Sequence, residues 1–147
     1  FGDTLQVAFN LLDQEAAAKG VFVEAYRQDW GIIARVPLAS GMLTGKYVGD
    51  HYFPRDDFRS MWSPARLKEM SRRVEALRFL VKAPVESMTQ AALALVLSQE
   101  AVSTVITGAK TEAQVGENTS APALAPLSQD DLRRAQGLWG SGFAENK

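Results

Sequence analysis

Residues 105–118, V-I-T-G-A-K-T-E-A-Q-V-G-E-N, hold the densest chemistry in the sequence. An apolar, β-branched run (Val102, Val105, Ile106) breaks at Gly108, presents Lys110 and then turns into a helical pattern. Thr111 stands where an N-cap is needed, and Gln114, three residues on, completes a capping box. A strand that ends in glycine and lysine at the positive end of a helix dipole is a ready site for a phosphate. The same residues admit a plainer reading, in which Thr111 and Gln114 only cap a helix and Lys110 is a solvated loop cation. Spacing alone leaves both open, because capping boxes are common.

A second stretch, P-L-A-S-G-M-L-T-G-K at residues 37–46, superficially looks like the phosphate-binding loop of nucleotide triphosphatases. That motif needs glycine where Ser40 stands and Ser or Thr where Tyr47 stands, so it is excluded. The absence of cysteine removes disulfides, zinc thiolates and thiol nucleophiles, and a lone histidine, His51, rules out a multi-histidine metal site. His51 sits beside Asp50 in a polar loop and reads as a surface residue, not as a catalytic acid or base. Arg35, inside I-I-A-R-V-P, either points into a polar pocket, pairs with a neighbouring carboxylate or is a costly buried charge.

These residues need elements to position them. Residues 5–10 read as a short strand. Residues 13–28 read as a helix with Ala16, Ala17, Phe22, Ala25 and Tyr26 as packing positions, weakened by Gly20. Residues 31–36 read as a strand apolar enough to be covered on both faces. A long loop, residues 38–62, follows, rich in Gly, Asp, Phe and Arg; loops of that length are usually functional or disordered. Ser63 and Pro64 open a helix whose stripe is Leu67, Met70, Val74, Leu77 and Val81. Ser87 and Gln90 cap a helix over residues 88–98, a strand spans 103–107, and a helix spans 112–118. After the connector A-P-A-L-A-P-L, Ser128 caps a final amphipathic helix over 129–139. Strands alternating with helices imply parallel βαβ units, although three strands cannot close a barrel and the pattern alone does not separate part of a barrel from a small doubly wound sheet.

With 147 residues, 46% hydrophobic and 22% charged, the chain has the composition of one soluble globular domain, with no second domain expected. A net charge of −1 offers no electrostatic footprint for nucleic acid or an anionic membrane. No apolar run reaches the roughly 18 residues of a membrane span. No targeting segment is visible, which implies the cytoplasm by default. The chain starts at Phe1, not methionine, and enters a strand almost at once, so it is expected to be cut from something longer or processed.

Three segments together resemble the aldo/keto reductases. Residues 105–118 are similar to that family's last strand-to-helix segment, I-P-G-A-(K/R)-x-x-x-Q-x-x-E-N. Residues 33–47, I-A-R-V-P-L-A-S-G-M-L-T-G-K-Y, resemble its preceding barrel strand and cofactor loop, and residues 6–13, Q-V-A-F-N-L-L-D, the strand before that. They occur in the family's order and at roughly its spacing. The resemblance implies an α/β fold, namely the C-terminal half of a (β/α)8 barrel with about three parallel strands and flanking helices. It implies NADP(H) as cofactor. Gln6 would meet the nicotinamide carboxamide, and Arg35 would stack on the ring where many members have an aromatic residue. Pro37, Leu38, Ser40, Gly41 and Lys46 would carry the pyrophosphate. Gly108 ends the last strand, Lys110 and Thr111 would hold the adenosine 2′-phosphate with Gln114 close by, and Glu117 with Asn118 would lie at the adenine edge. A cation at that phosphate favours NADP over NAD. Thr107 and Gly116 depart from the usual pattern, where proline and glutamate are frequent.

The family's catalytic Asp-Tyr-Lys-His set lies in the N-terminal half of the barrel and has no counterpart here, so no residue of this chain is assigned a catalytic role. The expectation is the cofactor-binding portion of an NADPH-dependent enzyme that reduces a small-molecule carbonyl compound to an alcohol, inactive alone. A half-barrel that pairs with itself or with a separate N-terminal half, as a nucleotide-binding or regulatory module, is the alternative. A nonenzymatic redox-sensing subunit, as with potassium-channel accessory subunits, is a more distant one.

Overall fold

The computed structural model describes residues 2–47, 49, 51–124 and 126–144. Its frame is a parallel sheet in the order β1 (Thr4–Ala8), β2 (Gly31–Arg35), β3 (Val102–Ile106). Sequence neighbours pair as spatial neighbours, each crossover carrying helices: α1 (Glu15–Ala18) and α2 (Val21–Arg27) after β1, α3 (Pro64–Ala76) and α4 (Met88–Leu97) after β2. α5 (Glu112–Ser120) and α6 (Gln129–Gly140) follow β3. Among the described residues no helix is long and apolar enough to cross a membrane.

The sheet has one covered face. Ile32 and Ala34 are fully buried in the core, whereas Arg35 at the end of the same strand is exposed. Register places Gln6 beside Ile33 and Ile33 beside Thr104, with Ala8, Arg35 and Ile106 aligned one step on. That second face is open among the described residues, and Ile106 is 51% exposed there. The expectation that β2 is covered on both faces is therefore corrected: the alternation of a one-sided strand governs its burial. A bulge keeps β3 in phase. Ile32 pairs with Val102 and Ile33 with Thr104, which leaves Ser103 as the extra residue. Gly31 permits it, since a Cβ there would lie 2.8 Å from Ser103 Oγ.

Local chemistry moved several boundaries. β1 stops at Ala8 because Asn10 turns the chain: its Oδ1 accepts from the amides of Leu12 (2.9 Å) and Asp13 (3.0 Å). Asn10 Nδ2 also donates to the Val36 carbonyl at 3.0 Å, tying the end of β1 to the end of β2. The single helix expected over residues 13–28 is two helices, because Gly20 adopts a left-handed conformation (φ 74°) between them. The break turns Phe22 and Ala25 into the core, Phe22 edge-on to Phe9 at 4.8 Å, and leaves Tyr26 65% exposed instead of packed. α3 ends at Ala76, so Leu77 and Val81 of its expected stripe belong to the turns that follow. Within the long loop, short 3-10 turns form at Ala39–Thr44 and Phe58–Met61. Asp50, next to His51, and Ala125 in the connector lie outside the described residues.

α4 is the pedestal of the fold. Its residues from Met88 to Val96 are buried apart from half-buried Gln90, and it packs against β3, α5 and the Ala39–Thr44 turn. The two loops that matter chemically therefore rest on one apolar helix.

Candidate functional site

At the C-terminal end of the strands lies a cavity of about 620 Å³. Its walls come from three separate segments. Pro37, Leu38, Ser40, Gly41, Thr44, Lys46 and Tyr47 form the loop after β2; Asp56, Asp57, Phe58 and Arg59 form a strap; Gly108, Lys110, Gln114, Glu117 and Asn118 come from the start and body of α5. Most of the residues singled out by sequence thus converge on one space.

The loop after β2 is held in unusual backbone. Val36, Ala39 and Ser40 have φ of 57°, 48° and 57°, and Gly41 and Gly45 have 88° and 71°. For a β-branched residue such as Val36 this is a rare conformation that surrounding structure must enforce, and such strain concentrates at functional sites. The enforcement is visible. Arg59 is 8% exposed and donates from Nη1 to the Ser40 carbonyl at 2.9 Å. Its Nε and Nη2 form a fork on Asp57, at 2.9 and 2.6 Å to Oδ1 and Oδ2, and its guanidinium lies over the rings of Tyr47 (4.5 Å) and Phe53 (4.2 Å). Asp57 also caps the Phe58–Met61 turn by accepting from the Arg59 amide. The Arg59 side chain, then its amide, hold the Asp57 carboxyl well below the usual carboxylate range, and the charge of Lys110 adds to this. Asp57 in return raises the Arg59 guanidinium.

On the opposite wall the capping box forms. Thr111 Oγ1 accepts from the Gln114 amide at 3.3 Å, and Gln114 Oε1 accepts from the Lys110 amide at 2.6 Å. The capping contacts of the plainer reading are present: the cap fixes the backbone of Lys110, while the lysine side chain is exposed at the cavity. Thr111 is the cap and is not among the residues lining the cavity. Glu117 accepts a short hydrogen bond, 2.6 Å, from Ser87 Oγ.

Gln6 and Arg35 stand apart from this cavity, on the open face of the sheet. Arg35 has no carboxylate partner among the described residues, and its exposure removes the cost of a buried charge. His51 is exposed and packs edge-on against Tyr47 (4.8 Å) and Phe53 (4.7 Å), a wedge in the strap. Sequence reading missed Asp57, Arg59 and Thr89, and took Ser87 only for a helix cap. The one available signal was the charged cluster R-D-D-F-R in a long loop, with Asp two residues before Arg.

A smaller cavity of about 390 Å³ shares Val36 and Ser40 with the larger one and is closed by Asn10, Trp62 and the α3 residues Arg66, Glu69 and Arg73. Arg72, then Arg73, hold the Glu69 carboxyl down to about 2 from 4.5. A depressed carboxyl contributes stability fully above its unfolded value and loses it as pH falls toward its folded one. Glu69→Gln is expected to flatten the acid limb of the stability curve between about pH 4.5 and 2. Glu69 is 40% exposed, so the change is small. Thermal melts of both proteins across that range measure it, and superimposable limbs would place the acid sensitivity elsewhere.

Known proteins resemble this chain in sequence and in fold. The chain matches the aldo/keto reductase family over residues 3–139. It is 32% identical over 113 residues to a probable voltage-gated potassium channel subunit beta of Arabidopsis thaliana, covering 71% of this chain and 34% of that protein. It is 31% identical over 138 residues to the L-glyceraldehyde 3-phosphate reductase of Escherichia coli O157:H7, covering 86% of this chain and 38% of that one. Among solved structures, the glycerol dehydrogenase of Gluconobacter oxydans superposes with a TM-score of 0.80 at 22% identity, over 98% of this chain and 44% of its own. An aldo-keto reductase of Bacillus halodurans does so with a TM-score of 0.63 at 21% identity, over 92% and 42%. These structures show the fold: the three strands and their helices are a portion of a (β/α)8 barrel. The chain spans about a third to somewhat under half of the length of each of these proteins. By the family match and these relatives, the chain belongs to the aldo/keto reductase family.

Proposed function

We propose that this chain is the C-terminal, cofactor-binding portion of an NADPH-dependent oxidoreductase that reduces aldehydes or ketones to alcohols, in a cytoplasmic setting. The observation that carries this reading is the convergence of the loop after β2 and the start of α5, far apart in sequence, on one cavity of about 620 Å³. The donor set fits a phosphorylated dinucleotide. Lys46 and Lys110 supply cations, Ser40 and Thr44 supply hydroxyls, Glu117 supplies an acceptor, and Pro37, Leu38, Phe58 and Ile106 supply apolar surface. The left-handed turn at Ser40 and Gly41 lets backbone approach a ligand closely.

NADPH, when bound, supplies a hydride to the carbonyl carbon. The residues here bind and orient. Lys110, just before the N-terminus of α5, would meet the 2′-phosphate, which would favour NADP over NAD. Gln6 and Arg35 lie on the sheet face that a barrel turns inward, where the nicotinamide end belongs. The proton donor to the carbonyl oxygen is assigned to an N-terminal half-barrel, which also covers the open face of the sheet and the exposed Ile106.

Carbonyl reduction by the protein containing both halves, measured with NADPH and NADH against a panel of aldehydes and ketones, tests this. Turnover with NADPH is expected, and none from residues 1–147 alone. Turnover by the isolated piece would show that the proton-transfer group has been misplaced. The potassium-channel subunit relative favours a second reading, a nonenzymatic regulatory subunit built on the same barrel. Bound dinucleotide with no turnover against any carbonyl compound would favour it.

A further inference from the structure

Ser87 was read above only as a helix cap and does not line the cavity, yet its hydroxyl works in two directions at once. As acceptor it takes the Gln90 amide at 3.1 Å and caps α4. As donor it reaches thirty residues along the chain to Glu117 Oε1 at 2.6 Å, the length of a charge-assisted O–H···O⁻ bond. Among neutral side chains of this size only a hydroxyl donates and accepts through one atom. The bond also links elements of different rigidity: α4 is buried core, whereas Glu117 is half-buried on an α5 that buries none of its own residues.

Glu117 lines the cavity beside Asn118 and Thr89. An untethered glutamate samples several rotamers, and fixing it costs side-chain entropy at the moment of binding. With Oε1 held by Ser87, the carboxylate is set in advance and Oε2 has no protein donor among the described residues. An oriented carboxylate accepts from the exocyclic amine of a 6-aminopurine. It repels the 6-keto oxygen of hypoxanthine, which presents a lone pair at the same place.

We propose that Ser87 is a positioning residue that acts through Glu117 to make the base end of the cavity select adenine over a 6-keto purine. The proposal rests on the reading of this cavity as a dinucleotide site. Three substitutions separate the two jobs of the hydroxyl. Ser87→Thr keeps both. Ser87→Asp keeps the cap, since aspartate is a good N-cap, but removes the donor and sets a like charge against Glu117. Ser87→Ala loses both.

The experiment measures dissociation constants of NADPH and of its hypoxanthine analogue for the full-length protein and each variant, with melting temperatures alongside. The wild type and Ser87→Thr are expected to prefer the adenine cofactor by about tenfold, the weight of one such hydrogen bond. Ser87→Asp is expected to melt near the wild type and to lose that preference, and Ser87→Ala to lose both. A wild-type base ratio in Ser87→Asp would overturn the proposal and leave Ser87 a cap only, with the dinucleotide reading intact. Failure of the wild type to bind either compound would overturn the dinucleotide reading and this proposal with it.

Discussion

Replacing Lys110 by methionine is expected to weaken NADPH binding by about tenfold to a hundredfold while changing NADH binding by about twofold or less. The range is the cost of losing one hydrogen bond between charged groups, about 1.5–3 kcal/mol. Methionine keeps the length and apolar stem of the side chain, so the comparison isolates the charge. The backbone at this position does not depend on the lysine side chain: it is fixed by Gln114 Oε1 on the Lys110 amide and by the Thr111 cap. The effect should also shrink as salt is added, because an exposed cation is screened within about 10 Å at 0.1 M ionic strength. Titration of the full-length protein with both cofactors at two salt concentrations measures all of this. Equal losses for NADPH and NADH would remove Lys110 from the 2′-phosphate and leave it a solvated cation.

Gly41→Ala is expected to be strongly destabilising. Gly41 has φ 88°, and an added Cβ would lie 3.0 Å from Arg59 Nη1 and 3.3 Å from Tyr47 Cε2. A left-handed conformation costs an L-residue about 1–2 kcal/mol. Normally the far end of an arginine would swing away from such a contact. Here the guanidinium is pinned by Asp57, by the Ser40 carbonyl and between two rings, so it cannot move without giving up those partners. The combined loss is expected to be roughly 2–3 kcal/mol, a fall in Tm on the order of 5–10 °C. Gly116→Ala is the control. That glycine lies inside α5 with nothing within 4 Å of an added Cβ, so alanine is expected to stabilise by about 0.5–1 kcal/mol through backbone entropy. Calorimetry on both variants decides it. A Gly41→Ala protein that melts with the wild type would mean that the Arg59 latch is soft, and that the left-handed loop is not enforced by it.

The contrast between these glycines shows where sequence reading stops. Both are single glycines near polar residues, and nothing in their neighbours distinguishes the one that must be glycine from the one that need not be. The distinction comes from Arg59, eighteen positions further along the chain, arriving over Gly41 in space.

What could be read directly was local. Ser63, Ser87, Thr111 and Ser128 each cap a helix by accepting the amide three residues on. Those bonds close within four residues, so their geometry is written in the residue types and the spacing. The alternation of three strands with helices, the apolar run of α4 and the resemblance to a family were legible for the same reason: each is a pattern along one stretch of chain. Elements were harder to end than to begin. Gly20 was visible as a weak point, but whether a helix bends or breaks there depends on what Phe22 and Ala25 can reach, which is the Phe9 side of the core.

Residue types and spacing by themselves determined the parallel βαβ order and the helix caps, and the family resemblance pointed to half of the residues that line the cavity. Tertiary structure alone decided that one face of the sheet is open, that Gln6 and Arg35 lie apart from the cavity, that Arg59 clamps Asp57 and the Ser40 carbonyl, and that Ser87 holds Glu117. The physical reason is one of range. Hydrogen bonds within a turn and hydrophobic periodicity are set by neighbours along the chain, whereas a contact across nineteen or thirty residues exists only once the core has set the distance between its partners.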